Sequence, residues 1–214
     1  MRGITHALMG AAAWTWATHN DVNHPLIHVT GAVVAAGAAL LPDLDHERST
    51  ASQSLGPITY LVHKVVHAIT GGHRRFTHSL AGCLALGTLA QWAVDHRTTS
   101  TAAMITLVVM MVILLAAVTR LARIPGWIDE MLAAAAGAVL VIWPGMDLHM
   151  IPVAILIGMI AHALGDALTK QGVPFFWPLS KAKLVLAQVR TGGRLERWFI
   201  TPAAAVAIVA PWVA

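Results

Sequence analysis

Charge is scarce in this chain. Asp, Glu, Lys and Arg make up 11% of its 214 residues, against 57% that are hydrophobic, and a soluble domain needs more polar side chains than that to cover itself. Cysteine is scarcer still. The single Cys83 lies inside an apolar segment, which excludes an intrachain disulfide and implies no oxidising compartment. No fixed-period repeat and no low-complexity tract is present, so a solenoid is excluded. A nucleic-acid fold signature is lacking as well. The pI near 9.8 therefore points to anionic lipid headgroups rather than to nucleic acid.

Apolar runs are plentiful. A mean hydropathy of +0.69 predicts an all-α fold, a polytopic membrane helical bundle, read as a single domain over residues 1–214. The clearest span is Thr101 to Thr119, about 19 uncharged residues against the roughly 20 that cross the hydrocarbon core. Ile4–Thr18, Leu26–Leu41, Ser79–Val94, Trp127–Trp143, Met150–Asp166 and Phe199–Val213 are apolar but shorter or interrupted. The Ala17-Thr18-His19 end of the first lacks a small-x-small cleavage pattern, so that segment is expected to be retained. The Ala-rich stretches at 32–39 and 133–138 suit close helix packing.

If each apolar segment crosses once, parity puts Asp43, His78, His162 and Asp166 on one side. Every Lys and Arg except Arg97 falls on that side, Arg123 among them, and such a bias marks the cytoplasmic face. The expected location is a bacterial inner membrane, multi-pass, with the loops His19–His24, His96–Ser100 and Pro144–His149 facing outward. Trp14, Trp16, Trp92, Trp127, Trp143, Trp198 and Trp212 fall near segment ends, as interfacial anchors would.

The few ionisable side chains gather where apolar segments meet polar ones. Such groups are costly near a bilayer unless paired or metal-bound. His162 and Asp166 in HALGDALTKQG are one helical turn apart and share a face. Asp43 in LLPDLDH and His78 in HRRFTHS are the natural partners, giving the mixed nitrogen and oxygen shell that zinc favours, at the cytoplasmic helix ends. His6 could help hold a second ion with Asp166 as a bridge. Asp45, His46 and His73 rank behind as ligands or orienting partners, with Asp45 also a candidate general base. Arg74, Arg75 and Lys170 suit the oxygens of a phosphate group. The run GVPFFWPLS, residues 172–180, is expected to roof the site as an interfacial loop.

Simpler readings cover other polar positions. His19, His24, His28, His96 and His149 are expected to be interfacial polar tips rather than ligands. His63 and His67, one turn apart around Lys64 in LVHKVVHAIT, read as an interfacial amphipathic helix. The basic stretch from Lys181 to Arg197 reads as a lipid-facing segment without chemistry.

THALMG, LLPDLDH, the Arg-rich FTHS block and HALGDALTKQGVPFFWP together resemble the LexA-regulated, membrane-bound, metal-dependent hydrolases known as the YdjM-like inner-membrane proteins. The resemblance runs from the N-terminus to about residue 180 and implies a membrane-bound, metal-dependent hydrolase. More distantly, the order His6, Asp43, His78, then His162-x-x-x-Asp166 is similar to the zinc-dependent phospholipase C and single-strand nuclease superfamily. Those enzymes carry further ligands downstream, whereas no His follows His162 here; one or two zinc ions are expected rather than three. The resemblance names no substrate; Arg74, Arg75 and Lys170 beside the site, in a chain embedded in lipid, point to a phospholipid or lipid phosphate. Two other readings stand beside it, a metal-ion transporter or sensor and a structural protein with a non-catalytic metal site. The sequence leaves the oligomeric state open.

Overall fold

A computed structural model describes residues 1–20, 25–122, 126–143 and 145–213. His24, Arg123 and Pro144, which entered the loop and charge readings, lie outside the described residues. The chain is helical: α1 Gly3–Thr18, α2 Pro25–Ala38, α3 Pro57–Thr70, α4 Leu80–His96, α5 Thr101–Leu121, α6 Gly126–Ile142, α7 Met150–Ala167 and α8 Thr201–Val209. Among the described residues extended pairing is confined to two isolated bridges, Thr169 with Val189 and Val173 with Leu184. All seven apolar runs read from the sequence contain a helix, and α3 is the amphipathic segment around Lys64.

Local signals set the helix ends. Ser79 caps α4 by accepting from the Gly82 N–H, and Ser100 caps α5 by accepting from Ala103, each relieving an unpaired N-terminal donor. α3 opens on Pro57, whose missing N–H costs nothing there, and stops at Gly71 with φ of 76°, a left-handed terminus that glycine adopts freely.

α7 is the axis of the bundle. It packs against α1, α2 and α4, while α5 lies on α2 and α4, α6 on α5, and α8 on α1. Among the described residues three stretches are long and apolar enough to cross a membrane, Pro25–Asp45, Thr101–Leu121 and Met150–Ala167. Glycine lets α1 and α7 press against the same part of α2. A Cβ on Gly10 would come within 2.5 Å of the Ala35 carbonyl oxygen, and one on Gly158 within 2.3 Å of that same atom. One turn from these glycines stand His6 and His162, so the close packing also sets their depth.

Trp16, Trp92, Trp127, Trp143, Trp198 and Trp212 are exposed, in keeping with interfacial anchors. Trp14 is not an anchor. It is buried, its indole N–H donates to the His28 carbonyl at 3.1 Å, and Gly31 leaves the space its ring fills.

Candidate metal centre

Four parts of the chain meet at one end of the bundle. Pro42 turns the chain out of α2 into a tight 3-10 turn, Leu41–Asp45, closed by the His46 N–H donating to the Asp43 carbonyl at 2.9 Å. The turn brings Asp43 and Asp45 over the end of α7, where His162 and Asp166 project from one face. His78 ends a second short turn, Phe76–His78, directly before α4, and His6 comes from the first turns of α1.

The sequence-predicted ligands converge. His78 Nε2 lies 3.6 Å from Asp43 Oδ1 and 3.7 Å from Asp166 Oδ2. His162 Nε2 is 3.9 Å from Asp43 Oδ1 and 3.7 Å from Asp166 Oδ2. His6 Nε2 stands 3.3 Å from Asp166 Oδ1, and its ring stacks on that of His162 at 3.8 Å. Among the described residues three overlapping sets have ligand atoms within 4.8 Å of one another: His78, His162 and Asp166; His6, Asp43 and His162; and Asp43, Asp45, His73 and His78.

Hydrogen bonding fixes which nitrogens face inward. His162 Nδ1–H donates to the Ala39 carbonyl at 2.7 Å, leaving the Nε2 lone pair toward the carboxylates. His78 Nδ1 is 3.0 Å from Thr77 Oγ1, which itself donates to Asp45 Oδ2 at 2.5 Å. Among the described residues the buried Nε2 atoms of His6, His78 and His162 have no hydrogen-bond partner, and Asp166 Oδ2 is held by ion-pair contact alone. Buried polar atoms are rarely left so, because each unmade bond costs about 1–3 kcal/mol. Three buried imidazole nitrogens and the carboxylates they face, in overlapping sets, form a donor array that fits a divalent cation, and these residues could hold one.

The surroundings are already cationic. The Met1 amino group lies 2.7 Å from Asp166 Oδ1 and the Arg74 guanidinium 2.8 Å from Oδ2. Burial works against a charged His78, but the Asp43 and Asp45 carboxylates beside it outweigh that and raise its pKa to about 9.

Asp45 is a hub. It is fully buried and accepts from His73 Nδ1 at 2.6 Å, from the Arg74 N–H at 3.0 Å and from Thr77. Arg74 holds a left-handed backbone, φ 59°, to make that contact. α3 clamps the same turn, with His63 Nδ1 donating to the Leu44 carbonyl and His67 Nδ1 to that of Asp45, both at 2.9 Å. His46 packs its ring edge-on to His73 at 4.9 Å and belongs to none of the three ligand sets. Beside the cluster is a cavity of about 350 Å³ whose wall includes Asp43, His46, Arg48, His73 and Arg74. Arg75 and Lys170 are not among its lining residues.

Sequence reasoning missed Thr77, His63 and His67 as supports of the site. It also missed Glu196, a buried acid inside the stretch read as lipid-facing. Glu196 accepts from the Arg2 and Gly192 N–H groups, each at 2.6 Å, and from Thr5 Oγ1 at 2.8 Å. Burial would raise its pKa, but these bonds prevail and lower it. A lone acid in a basic run was the available signal.

Residues 1–213 match the family described as YdjM inner membrane protein. The chain belongs to that family. With its apolar helices, this makes it a membrane protein in contact with lipid. No curated protein and no solved structure matches it.

Proposed function

We propose that this YdjM-family protein is a multi-pass, metal-dependent hydrolase of the inner membrane, with its site facing the cytoplasm, that cleaves a phosphoester bond of a phospholipid or lipid phosphate. The observation that carries the reading is the convergence of unpartnered Nε2 atoms of His6, His78 and His162 on the Asp43 and Asp166 carboxylates. One or two zinc ions suit that mixed donor set, held by Asp43, His78, His162 and Asp166, with His6 serving the second. An ion so held would supply Lewis acidity and make a bound water far more acidic.

The rest of the work belongs to the chain. Asp45 has its oxygens engaged on several sides, so its part is to orient His73 and His78 rather than to act as the base. His73, one-third exposed and held by Asp45, lines the cavity and takes the proton of the attacking water at Nε2. Arg48 on the same wall binds phosphoryl oxygens, whereas Arg74 is held by Asp166 and the Gly172 carbonyl. A transporter would hold its ligands near mid-membrane on broken helices, whereas these sit where α1 and α4 begin and α2 and α7 end.

The test is release of phosphate or headgroup from defined phospholipid and lipid-phosphate vesicles by purified protein. Turnover should disappear with a chelator, return with a divalent ion, and be absent in His162→Ala and Asp43→Ala. A metal-loaded parent that releases nothing from any of these lipids would overturn the reaction while leaving the site.

A further inference from the structure

A second cavity of about 530 Å³ lies beyond His73 and Arg74, walled by Arg74, Arg75, Gln171, Trp177, Lys181 and Lys183. His73, Arg74 and Gln171 line both cavities, so the two are neighbours across these side chains. We propose that this outer cavity is an anion subsite for a phosphate-bearing group, the non-reacting charged part of the substrate.

The argument rests on charge and on how the chain is held. Trp177 packs edge-on to Phe76 at 5.8 Å, and the Leu80 N–H donates to the Phe175 carbonyl at 2.9 Å. These contacts pin the 172–180 run against the turn that carries Arg74 and Arg75. Val173 then pairs with Leu184 through reciprocal backbone bonds of 3.1 and 2.8 Å, bringing the chain back along the same wall. Lys181 and Lys183 flank Ala182 in the irregular stretch before Leu184, and both line the cavity.

No carboxylate lines the cavity. Arg74 is spent on Asp166 and on the Gly172 carbonyl, 3.0 Å away. The side chains of Arg75, Lys181 and Lys183 make no ion pair among the described residues. Three uncompensated cations around one concavity repel each other and focus a positive potential that an anion relieves. A guanidinium fork with two ammonium groups matches the oxygens of a phosphate. Trp177 and Pro174 add an apolar wall beside it, suited to a headgroup that stays attached to lipid.

The subsite rests on the phosphoester reading above, but binding is measurable without turnover. Full-length protein in phosphatidylcholine nanodiscs is titrated calorimetrically with short-chain phosphatidic acid and, separately, with inorganic phosphate. The expected result is saturable binding that weakens by about tenfold or more in Arg75→Gln/Lys181→Gln/Lys183→Gln. It should persist in the charge-retaining Arg75→Lys/Lys181→Arg/Lys183→Arg, and in Lys64→Gln/Arg97→Gln away from the cavity. Equal loss for both probes assigns recognition to phosphate itself, and loss with phosphatidic acid alone assigns it to the lipid headgroup. Parent-like binding by the neutralised variant, or no binding of either probe by the parent, would overturn the subsite. Absent turnover with this pattern intact would instead remove only the proposed reaction.

Discussion

His78 faces two carboxylates and is held through Thr77 by Asp45, and this decides how it behaves toward protons and metal. Its imidazolium is stabilised up to about pH 9, above the ordinary value near 6.5. In metal-free protein its stabilising contribution is full below 6.5 and fades as pH rises through about 9. Metal needs the neutral ring, so binding at pH 7.5 must expel a proton from His78, and affinity should climb with pH until about 9 and then level. Calorimetry in buffers of different ionisation enthalpy measures that proton. Release of one in the parent and none in His78→Gln is expected, and equal release in both would remove this role. The candidate ligands were legible in the sequence, because His-x-x-x-Asp on a helix and Pro-Asp at a helix end are local patterns. The duties of Asp45 and Thr77 were not, since they depend on which side chains arrive from residues far along the chain.

At the scale of helices, the depth of the site is set by glycine. α1 and α7 both bear on Ala35 of α2 through Gly10 and Gly158, one turn from His6 and His162. Gly158→Ala would drive a methyl into the Ala35 carbonyl oxygen. The expected cost is about 1–3 kcal/mol, with metal affinity lowered because α7 must shift its ligands away from Asp43. Thermal unfolding and metal titration read the two effects; an unchanged midpoint with unchanged affinity would mean that the helices yield without disturbing the site. Helix existence was readable from the apolar runs. The burial of Trp14 was not, because sequence position alone does not tell an interfacial indole from one seated over a glycine. Nor did composition separate Glu196, which ties the start of α1 to the entry of α8, from the basic residues around it.

For the molecule as a whole, the proposed orientation follows from cationic residues crowding the end that holds the cluster, with Arg97 at the opposite loop. Cys83 is buried and gives a quiet background for thiol labelling. Thr99→Cys should react with an impermeant reagent in intact cells, and Ser180→Cys only after the inner membrane is opened. The reverse pattern would put the site outside. Parity over seven apolar runs anticipated that distant ligands share one side, and they do meet. Neither parity nor the spacing of the Lys and Arg residues foretold that α3 would clamp the Asp turn, or that the Lys181–Lys183 segment would fold back against the arginine turn. Both depend on chain reversals that hydropathy does not encode.

The account stands on one ion-binding centre, so the most direct measurement is equilibrium binding of zinc to chelator-stripped protein. The parent should hold at least one ion tightly, His162→Ala and Asp43→Ala should lose it, and His149→Ala, remote from the cluster, should retain it. A parent that takes up no divalent ion, or cluster variants that hold zinc as tightly as the parent, would contradict the account.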